Sequence, residues 1–135
     1  MDRLAELNDN MLPFAKLLGI NFVTAELDRV VAELLIRDDL CNRRDIAHGG
    51  VLMAFADTLG AMGTIMNLPY GTSTTTIESK TNFLGAVPVA TCLVGEATPV
   101  HRGKTTMVWQ TRISTKGGKL TALVTQTQFV FPAKP

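Results

Sequence analysis

The sequence of 135 residues has the length of one domain, a formal net charge of +1 and 46% hydrophobic residues. The near-neutral charge excludes the basic excess of nucleic-acid-binding proteins, and the hydrophobic fraction excludes an intrinsically disordered chain. We therefore expect a single globular domain over residues 1–135 that binds a small molecule and no nucleic acid.

The amino terminus and the cysteines indicate a reducing compartment. Residues 2–6 are charged at three positions and lack the basic start and apolar run of a signal peptide. No apolar run reaches the length of a membrane span, so we expect a cytoplasmic protein with no membrane partner. Cys41 and Cys92 show no C-x-x-C spacing, which predicts structural thiols and no metal site.

The first part of the sequence predicts a helix and a hairpin. Apolar residues recur at helical spacing over 2–18, which predicts an amphipathic N-terminal helix that continues through Pro13. The segments 20–27 and 30–36 are rich in β-branched and apolar residues and are separated by a short charged break. They predict a hairpin of two strands.

A charged loop at 37–47 leads into the most apolar part of the chain. The segment 51–66 has the length and apolar density of a buried helix. Before it, Gly49 and Gly50 permit a tight turn and a close backbone approach to a ligand. We expect His48-Gly49-Gly50 at the positive end of this helix, where free N–H groups can polarise a carbonyl oxygen or hold an anion.

The rest of the sequence has the composition and alternation of strands. The four predicted strands cover 72–83, 89–98, 105–114 and 120–131. Turns at 101–104 and 116–119 separate the last three. Together the elements predict an α+β fold in which a long central helix is wrapped by an antiparallel sheet of five or six strands, with a short N-terminal helix.

Asp57 is the one carboxylate inside the apolar helix. An ionisable group there costs free energy unless it is paired or hydrated, so Asp57 is either a catalytic residue or an acid satisfied by a neighbouring hydroxyl or a subunit contact. It lies nine residues after His48, which corresponds to about 13.5 Å along the axis and to the opposite face of the helix. One chain cannot easily aim both residues at one atom. A site that uses both therefore requires two copies of the chain.

The spacing of these residues resembles that of a known enzyme family. Asn42 precedes His48-Gly49-Gly50 by six residues, and Asp57 follows His48 by nine. This pattern, with similar strand segments at 72–87 and 90–131, resembles the hotdog-fold acyl-CoA thioesterases of the PaaI-like type, which are related to the 4-hydroxybenzoyl-CoA thioesterases. The resemblance implies a hotdog fold and an acyl-CoA substrate, with no cofactor beyond the coenzyme A of that substrate. We expect a homodimer as the minimal active unit, within a homotetramer.

The resemblance also implies catalytic roles around the helix start. Asp57 would act as a general base or as a nucleophile. The side-chain amide of Asn42 and the backbone N–H of Gly49 would form an oxyanion hole for the thioester oxygen. His48 would orient the loop or touch the substrate.

Four further residues are assigned to water and to the substrate. Thr75 matches the position at which similar thioesterases carry a serine or threonine that holds the attacking water, with the threonines on either side as alternatives if the register shifts. Gly50 is expected to contact the substrate. Arg102 and Lys104 are expected to meet the phosphates of coenzyme A.

The chemistry of the residues favours a thioester independently of the resemblance. The sequence has no G-x-S-x-G motif and no zinc-type histidine cluster. A thiolate departs with little acid help, so one carboxylate and an oxyanion hole are sufficient. We expect a thioesterase that releases free acid and coenzyme A from an acyl-CoA with a small or medium acyl group, including aromatic groups. The alternatives are a hotdog hydratase or dehydratase, with His48 and Asp57 as acid and base, and a non-catalytic acyl-CoA-binding protein.

Overall fold

The computed structural model describes residues 2–134. This part of the chain contains the helices α1 (Arg3–Asp9), α2 (Pro13–Leu18) and α3 (Gly49–Asn67). The strands are β1 (Asn21–Glu26), β2 (Arg29–Leu35), β3 (Thr72–Phe83), β4 (Cys92–Arg102), β5 (Thr106–Thr115) and β6 (Leu120–Pro132). Two short 3-10 turns, Asp38–Leu40 and Arg43–Asp45, lie in the loop before α3.

The strands form one antiparallel sheet in the order β1-β2-β4-β5-β6-β3. Helix α3 packs across one face of the sheet and contacts β2 to β6. Side chains alternate between the two faces of a strand, so Trp109 and Ile113 of β5 are buried against α3 while Arg112 on the other face is exposed. The predicted fold, a long helix wrapped by an antiparallel sheet, is confirmed with six strands.

The N-terminal segment departs from the sequence prediction. A single helix through Pro13 is wrong, because α1 ends at Asp9 and α2 begins at Pro13. Proline has no N–H and disfavours helical geometry in the residue before it, and Leu12 is accordingly extended, with φ −63° and ψ 150°. Pro13 takes the first position of a new helix, where the missing N–H has no helical partner to lose.

Strand β4 is shifted along the chain relative to the prediction. It begins at Cys92 rather than at residue 89, because residues 88–91 form a turn in which Ala90 is left-handed, with φ 70°. The strand also continues to Arg102, so the first two residues of the predicted 101–104 turn belong to β4. The predicted β3 has the observed bounds.

Glycines set the close approach of α3 to the sheet. A Cβ on Gly63 would lie 2.7 Å from the ring of Trp109, and a Cβ on Gly60 would overlap the side-chain amide of Gln126. These two side chains occupy the volume that a larger residue on the helix would need. The helix can therefore lie directly on β5 and β6.

By length and composition, α3 could cross a membrane, since its 18-residue window has a mean hydropathy of 1.3. This differs from the expectation that no apolar run reaches the length of a membrane span. Half of the window is buried inside the fold, because α3 is the core helix that the sheet wraps. A core helix meets the same test of length and composition.

We expect Gly63→Ala to lower the free energy of unfolding by about 2 kcal/mol, since overpacking against the Trp109 ring outweighs the gain of about 1 kcal/mol that alanine brings to a helix. The control is Gly117→Ala, whose Cβ would meet only Thr115 Oγ1, at 3.8 Å. Urea denaturation should show a lower midpoint for Gly63→Ala alone. Equal midpoints for the two variants would contradict close packing at Gly63.

Candidate active site

The first turn of α3 leaves one backbone donor free. His48 is the N-cap of the helix, and its Nδ1 accepts a hydrogen bond of 2.8 Å from the N–H of Gly50. The N–H of Val51 donates to the His48 carbonyl oxygen. Within residues 2–134 the N–H of Gly49 has no acceptor. It remains available to a ligand at the positive end of the helix dipole.

This cap decides the roles of His48 and Gly50. Because Nδ1 accepts a hydrogen bond, the proton of the neutral imidazole resides on Nε2. The expected contact of Gly50 with the substrate does not agree with the structure, since its N–H is already used by His48. A Cβ on Gly50 would approach His48 Nδ1 to 2.9 Å. Glycine at this position therefore lets the imidazole fold over the helix start.

A closed loop carries Asn42 to the same end of α3. Cys41 and Ala47 form an isolated antiparallel bridge, and the N–H of Asn42 donates to the carbonyl oxygen of Ile46 at 2.8 Å. The chain thus turns back and places Asn42 beside the residues that precede Gly49. The Asn42 side chain is exposed and makes no hydrogen bond in the part of the chain that the structure describes, so its amide is free to donate.

Two consecutive left-handed residues shape this loop. Arg44 has φ 67° and Asp45 has φ 56°. Such a conformation costs a residue with a Cβ about 1–2 kcal/mol, and it persists only where neighbouring contacts hold it. One of these contacts is the hydrogen bond of 2.8 Å from the N–H of Val89 to the Asp45 carbonyl oxygen. The strained residues lie between the two candidate oxyanion donors, Asn42 and Gly49.

Cys41 lies in the same loop, but its thiol is not activated. Partial burial, followed by the carboxylates of Asp38 and Asp45, raises the pKa of the Cys41 thiol. The thiol is therefore protonated at neutral pH and is a poor nucleophile. Its Sγ donates to the Arg37 carbonyl oxygen at 3.4 Å. Among residues 2–134, no group of three His, Cys, Asp or Glu side chains is placed to hold a metal ion.

Asp57 lies near the middle of α3 with a half-buried side chain. The Thr76 hydroxyl donates to its Oδ1 at 2.6 Å, and Gln126 Nε2 donates to the same oxygen at 3.1 Å. Its Oδ2 makes no hydrogen bond with any described residue. The side chain borders a concavity of about 270 Å³ that Met53 and Ser79 also line. A carboxylate with one oxygen held and one free can take up a proton or attack a carbonyl carbon.

The hydroxyl beside Asp57 belongs to Thr76 and not to Thr75. Thr75 pairs with Phe129 and is exposed on the face of the sheet opposite α3. Thr76 pairs with Gln128 and reaches Asp57. Because successive strand residues point to opposite faces, the predicted position of Thr75 beside Asp57 is wrong by one residue. The contact is made by one of the two threonines named as alternatives.

Two buried residues of the site, Gln126 and Gln128, are missed by the sequence reading. Both are fully buried on the face of β6 that meets α3. A signal for them exists, because the inward positions 122, 124, 126, 128 and 130 read Ala-Val-Gln-Gln-Val. Buried amides need hydrogen-bond partners. Two of them in an apolar row predict a polar group on the facing helix, and Asp57 is the one carboxylate of that helix.

The two halves of the candidate site lie apart in one chain. Gly49 and Asp57 are separated by eight residues of α3, which is about 12 Å along the helix axis. A second concavity, of about 440 Å³, lies next to Gly49 and is lined by Leu52, Phe83 and residues 84–87. The structure therefore brings Asn42 to Gly49 and Thr76 to Asp57, but it does not bring the two pairs together.

Arg102 and Lys104 lie toward the other end of α3. Arg102 Nη1 donates to the Leu27 carbonyl oxygen at 3.2 Å and to Asn67 Oδ1 at 3.4 Å. These bonds link the β1–β2 turn to the end of α3, about 27 Å along the helix from Gly49. Lys104 is exposed in the turn between β4 and β5. Their contact with coenzyme A phosphates stays a prediction.

The family of the chain follows from its sequence. The family model described as the thioesterase superfamily matches residues 45–122, which is more than half of the chain and includes the start of α3, Asp57 and Thr76. The chain belongs to the thioesterase superfamily. The predicted hotdog resemblance and the predicted class of enzyme, a thioester hydrolase, are thereby confirmed.

Known proteins of this class are similar over most of the chain. The structure of a thioesterase from Haemophilus influenzae matches with a TM-score of 0.90 and 26% identity, over 98% of this chain and 92% of that chain. The PaaI protein of Escherichia coli shares the fold, with a TM-score of 0.88 and 23% identity over 98% and 94% of the two chains. A 1,4-dihydroxy-2-naphthoyl-CoA hydrolase of Listeria monocytogenes is 26% identical over 103 residues, 76% of this chain and 83% of the relative.

We expect Thr76→Val to lower kcat by roughly tenfold or more, because a hydrogen bond to a charged group contributes about 1.5–3 kcal/mol. Thr75→Val is the matched control on the neighbouring position and should leave kcat unchanged, since Thr75 lies on the opposite face of the sheet. Both rates are measured as thiol release from a panel of acyl-CoA esters. A loss of activity in Thr75→Val without one in Thr76→Val would refute the placement.

Proposed function

We propose that this thioesterase hydrolyses an acyl-CoA with a small or medium acyl group, including aromatic groups, to the free acid and coenzyme A. The observation that carries the proposal is the state of Asp57, whose Oδ1 is held by Thr76 and Gln126 while Oδ2 has no partner among the described residues. The Listeria relative, named as a hydrolase of an aromatic CoA thioester, supports this substrate class.

The proposed chemistry uses one carboxylate and two N–H donors. Asp57 accepts a proton from the attacking water as a general base, or attacks the acyl carbon itself as a nucleophile. In both cases negative charge develops on the thioester carbonyl oxygen. The side-chain amide of Asn42 and the N–H of Gly49 stabilise that charge. The C–S bond then breaks, and overall one water and one thioester give one carboxylic acid and one thiol.

The concavity next to Gly49 supports an acyl-CoA substrate. Its volume of about 440 Å³ is bordered by the apolar side chains of Leu52, Phe83 and Leu84. Apolar parts of the substrate would bind there, within reach of the free Gly49 N–H. The thiolate needs no strong acid to depart, so the proposed reaction uses no metal or redox cofactor, and coenzyme A enters as part of the substrate.

The proposed active unit is a symmetric dimer, because the two halves of the site lie about 12 Å apart along α3 in one chain. Strand β3 is an edge strand of 12 residues whose one partner in the described sheet is β6. It carries the exposed apolar side chains of Ile77 and Phe83. A long edge of this kind favours pairing with another strand, and a second copy related by a two-fold axis would cover it.

The contacts at the two ends of β3 indicate the register of such a dimer. Thr76 contacts Asp57, and a Cβ on Gly49 would lie 3.1 Å from the Phe83 ring. An antiparallel pairing centred between Ser79 and Lys80 would set Thr76 of one copy opposite Phe83 of the other. Asp57 of one copy would then approach Gly49 of the second, and each dimer would contain two complete sites.

The competing hydratase or dehydratase reaction finds no support in this geometry. It would require His48 and Asp57 as a paired acid and base. His48 Nδ1 is already engaged as the cap of α3, and its position at the helix start matches a role in orienting the loop. The homotetramer and the cytoplasmic location stay predictions within this proposal.

We expect Asp57→Asn to fold normally and to retain less than about a tenth of kcat, because general-base groups contribute 10² or more in rate. The amide is nearly isosteric but can neither take up the proton nor act as a nucleophile. Asp28→Asn, in the exposed turn between β1 and β2, is the control and should remain fully active. A folded Asp57→Asn variant with more than a tenth of kcat would remove Asp57 from the mechanism.

We expect Asn42→Ala and Asp57→Ala to complement each other when the two inactive proteins are mixed after reversible dissociation. In each mixed dimer one site would contain both substitutions and the other none. With random pairing, roughly a quarter of the wild-type activity should return. Mass spectrometry of the mixture checks that subunits have exchanged. If exchange occurs and no activity returns, the site is not shared between subunits.

A further inference from the structure

The amides of Gln126 and Gln128 are the most unusual buried groups in the molecule. Both side chains are fully buried in the row where β6 packs against α3. Burial of an amide costs free energy that hydrogen bonds recover in part, and an apolar residue of similar size would avoid that cost. Packing of the core therefore does not account for two glutamines at these positions, and their contacts lead to Asp57.

Gln126 contacts Asp57 directly. Its Nε2 donates to Asp57 Oδ1 at 3.1 Å and lies 3.4 Å from the Asp57 carbonyl oxygen. Both neighbours are acceptors, so the opposite orientation of the amide would place oxygen against oxygen. The observed orientation leaves Gln126 Oε1 buried without a partner, in the space that Gly60 leaves free. The side chain thus leaves its own acceptor unsatisfied in order to donate to the carboxylate.

Gln128 reaches Asp57 through Thr76. Its Nε2 donates to the Thr76 hydroxyl, which in turn donates to Asp57 Oδ1 at 2.6 Å. The hydroxyl of Thr74 lies 3.0 Å from Gln128 Oε1, so the oxygen end of the amide has a donor on its other side. Because Gln128 supplies a proton to the lone pair of Thr76, the single hydroxyl proton of Thr76 is directed at the carboxylate.

These directions identify the reacting oxygen of Asp57. Oδ1 accepts from both Thr76 and Gln126, and an oxygen that accepts two such bonds within one half-buried contact does not carry the proton itself. We propose that Gln126 and Gln128 are positioning residues that hold Asp57 through Oδ1 and leave Oδ2 as the oxygen that takes up the proton or attacks. This inference rests on the proposed catalytic role of Asp57.

The first test compares Gln126→Met with wild type. Methionine keeps the length and flexibility of the side chain and removes the donor. We expect kcat to fall roughly tenfold or more, with KM nearly unchanged, and the acid limb of the kcat/KM profile to move to higher pH, because the ionised carboxylate loses a donor. Thr111→Val is the control, since Thr111 is fully buried on β5 and its hydroxyl has no partner among the described residues. It should change neither kcat nor the pH profile.

The second test asks whether Gln128 acts through Thr76. We expect Gln128→Met to lower kcat in the wild-type background and to have no further effect in the Thr76→Val background. A purely structural effect of Gln128 would multiply with the effect of Thr76→Val instead. Multiplying effects would therefore overturn the relay through Thr76.

An NMR experiment tests the Gln126 contact without relying on activity. The side-chain amide protons of Gln126, assigned by their loss in Gln126→Met, should exchange slowly in wild type and shift in Asp57→Ala. If wild type hydrolyses no thioester, the proposed function fails, and these signals still decide whether Gln126 holds Asp57. If Gln126→Met does not fold, the NMR signals and the Gln128 series decide. An active wild type, an inactive Asp57→Asn and a folded Gln126→Met with unchanged kcat and pH profile would overturn the inference.

Discussion

The packing of α3 on the sheet is the contact on which both the fold and the site depend. The helix is apolar apart from Asp57 and lies close to β5 and β6 because Gly60 and Gly63 leave room for Gln126 and Trp109. This closeness removes water from one side of Asp57, which costs free energy unless other donors replace the water. The sheet supplies these donors through Thr76 and Gln126. The packing that buries the core therefore also fixes the orientation of the carboxylate.

The same constraint explains why the site is divided. The free N–H of Gly49 exists only in the first turn of α3, because later N–H groups donate to carbonyl oxygens within the helix. The carboxylate must lie further along, where the strands can reach it with hydrogen-bond donors. The two groups therefore cannot coincide in one chain. An exposed edge strand such as β3 risks unspecific association, whereas pairing across a two-fold axis, as we propose, would give that edge a defined partner and join the two halves.

Much of the fold follows from the sequence, but the identity of the hydroxyl beside Asp57 does not. The apolar run after Gly49 and the alternation along the strands are local patterns, and they predict the helix and the sheet. Which threonine faces Asp57 depends on the pairing of β3 with β6, and the register of that pairing shifts after Thr76. Long-range packing sets this register, so propensities along β3 cannot reveal it. The contacts of Arg102 also depend on distant residues, since its partner Leu27 is 75 positions earlier in the chain.

Local disadvantages in this structure occur near the two halves of the site. Arg44 and Asp45 adopt left-handed conformations beside Asn42, and Gln126 Oε1 is buried without a partner beside Asp57. Trp109 Nε1 also lacks a partner among the described residues, although Trp109 and Gln126 are directly paired across β5 and β6. The amide of Gln126 thus serves the carboxylate on the helix and not the donor on the neighbouring strand. Selection for stability alone would remove such features, and their position beside Asn42 and Asp57 indicates that function maintains them.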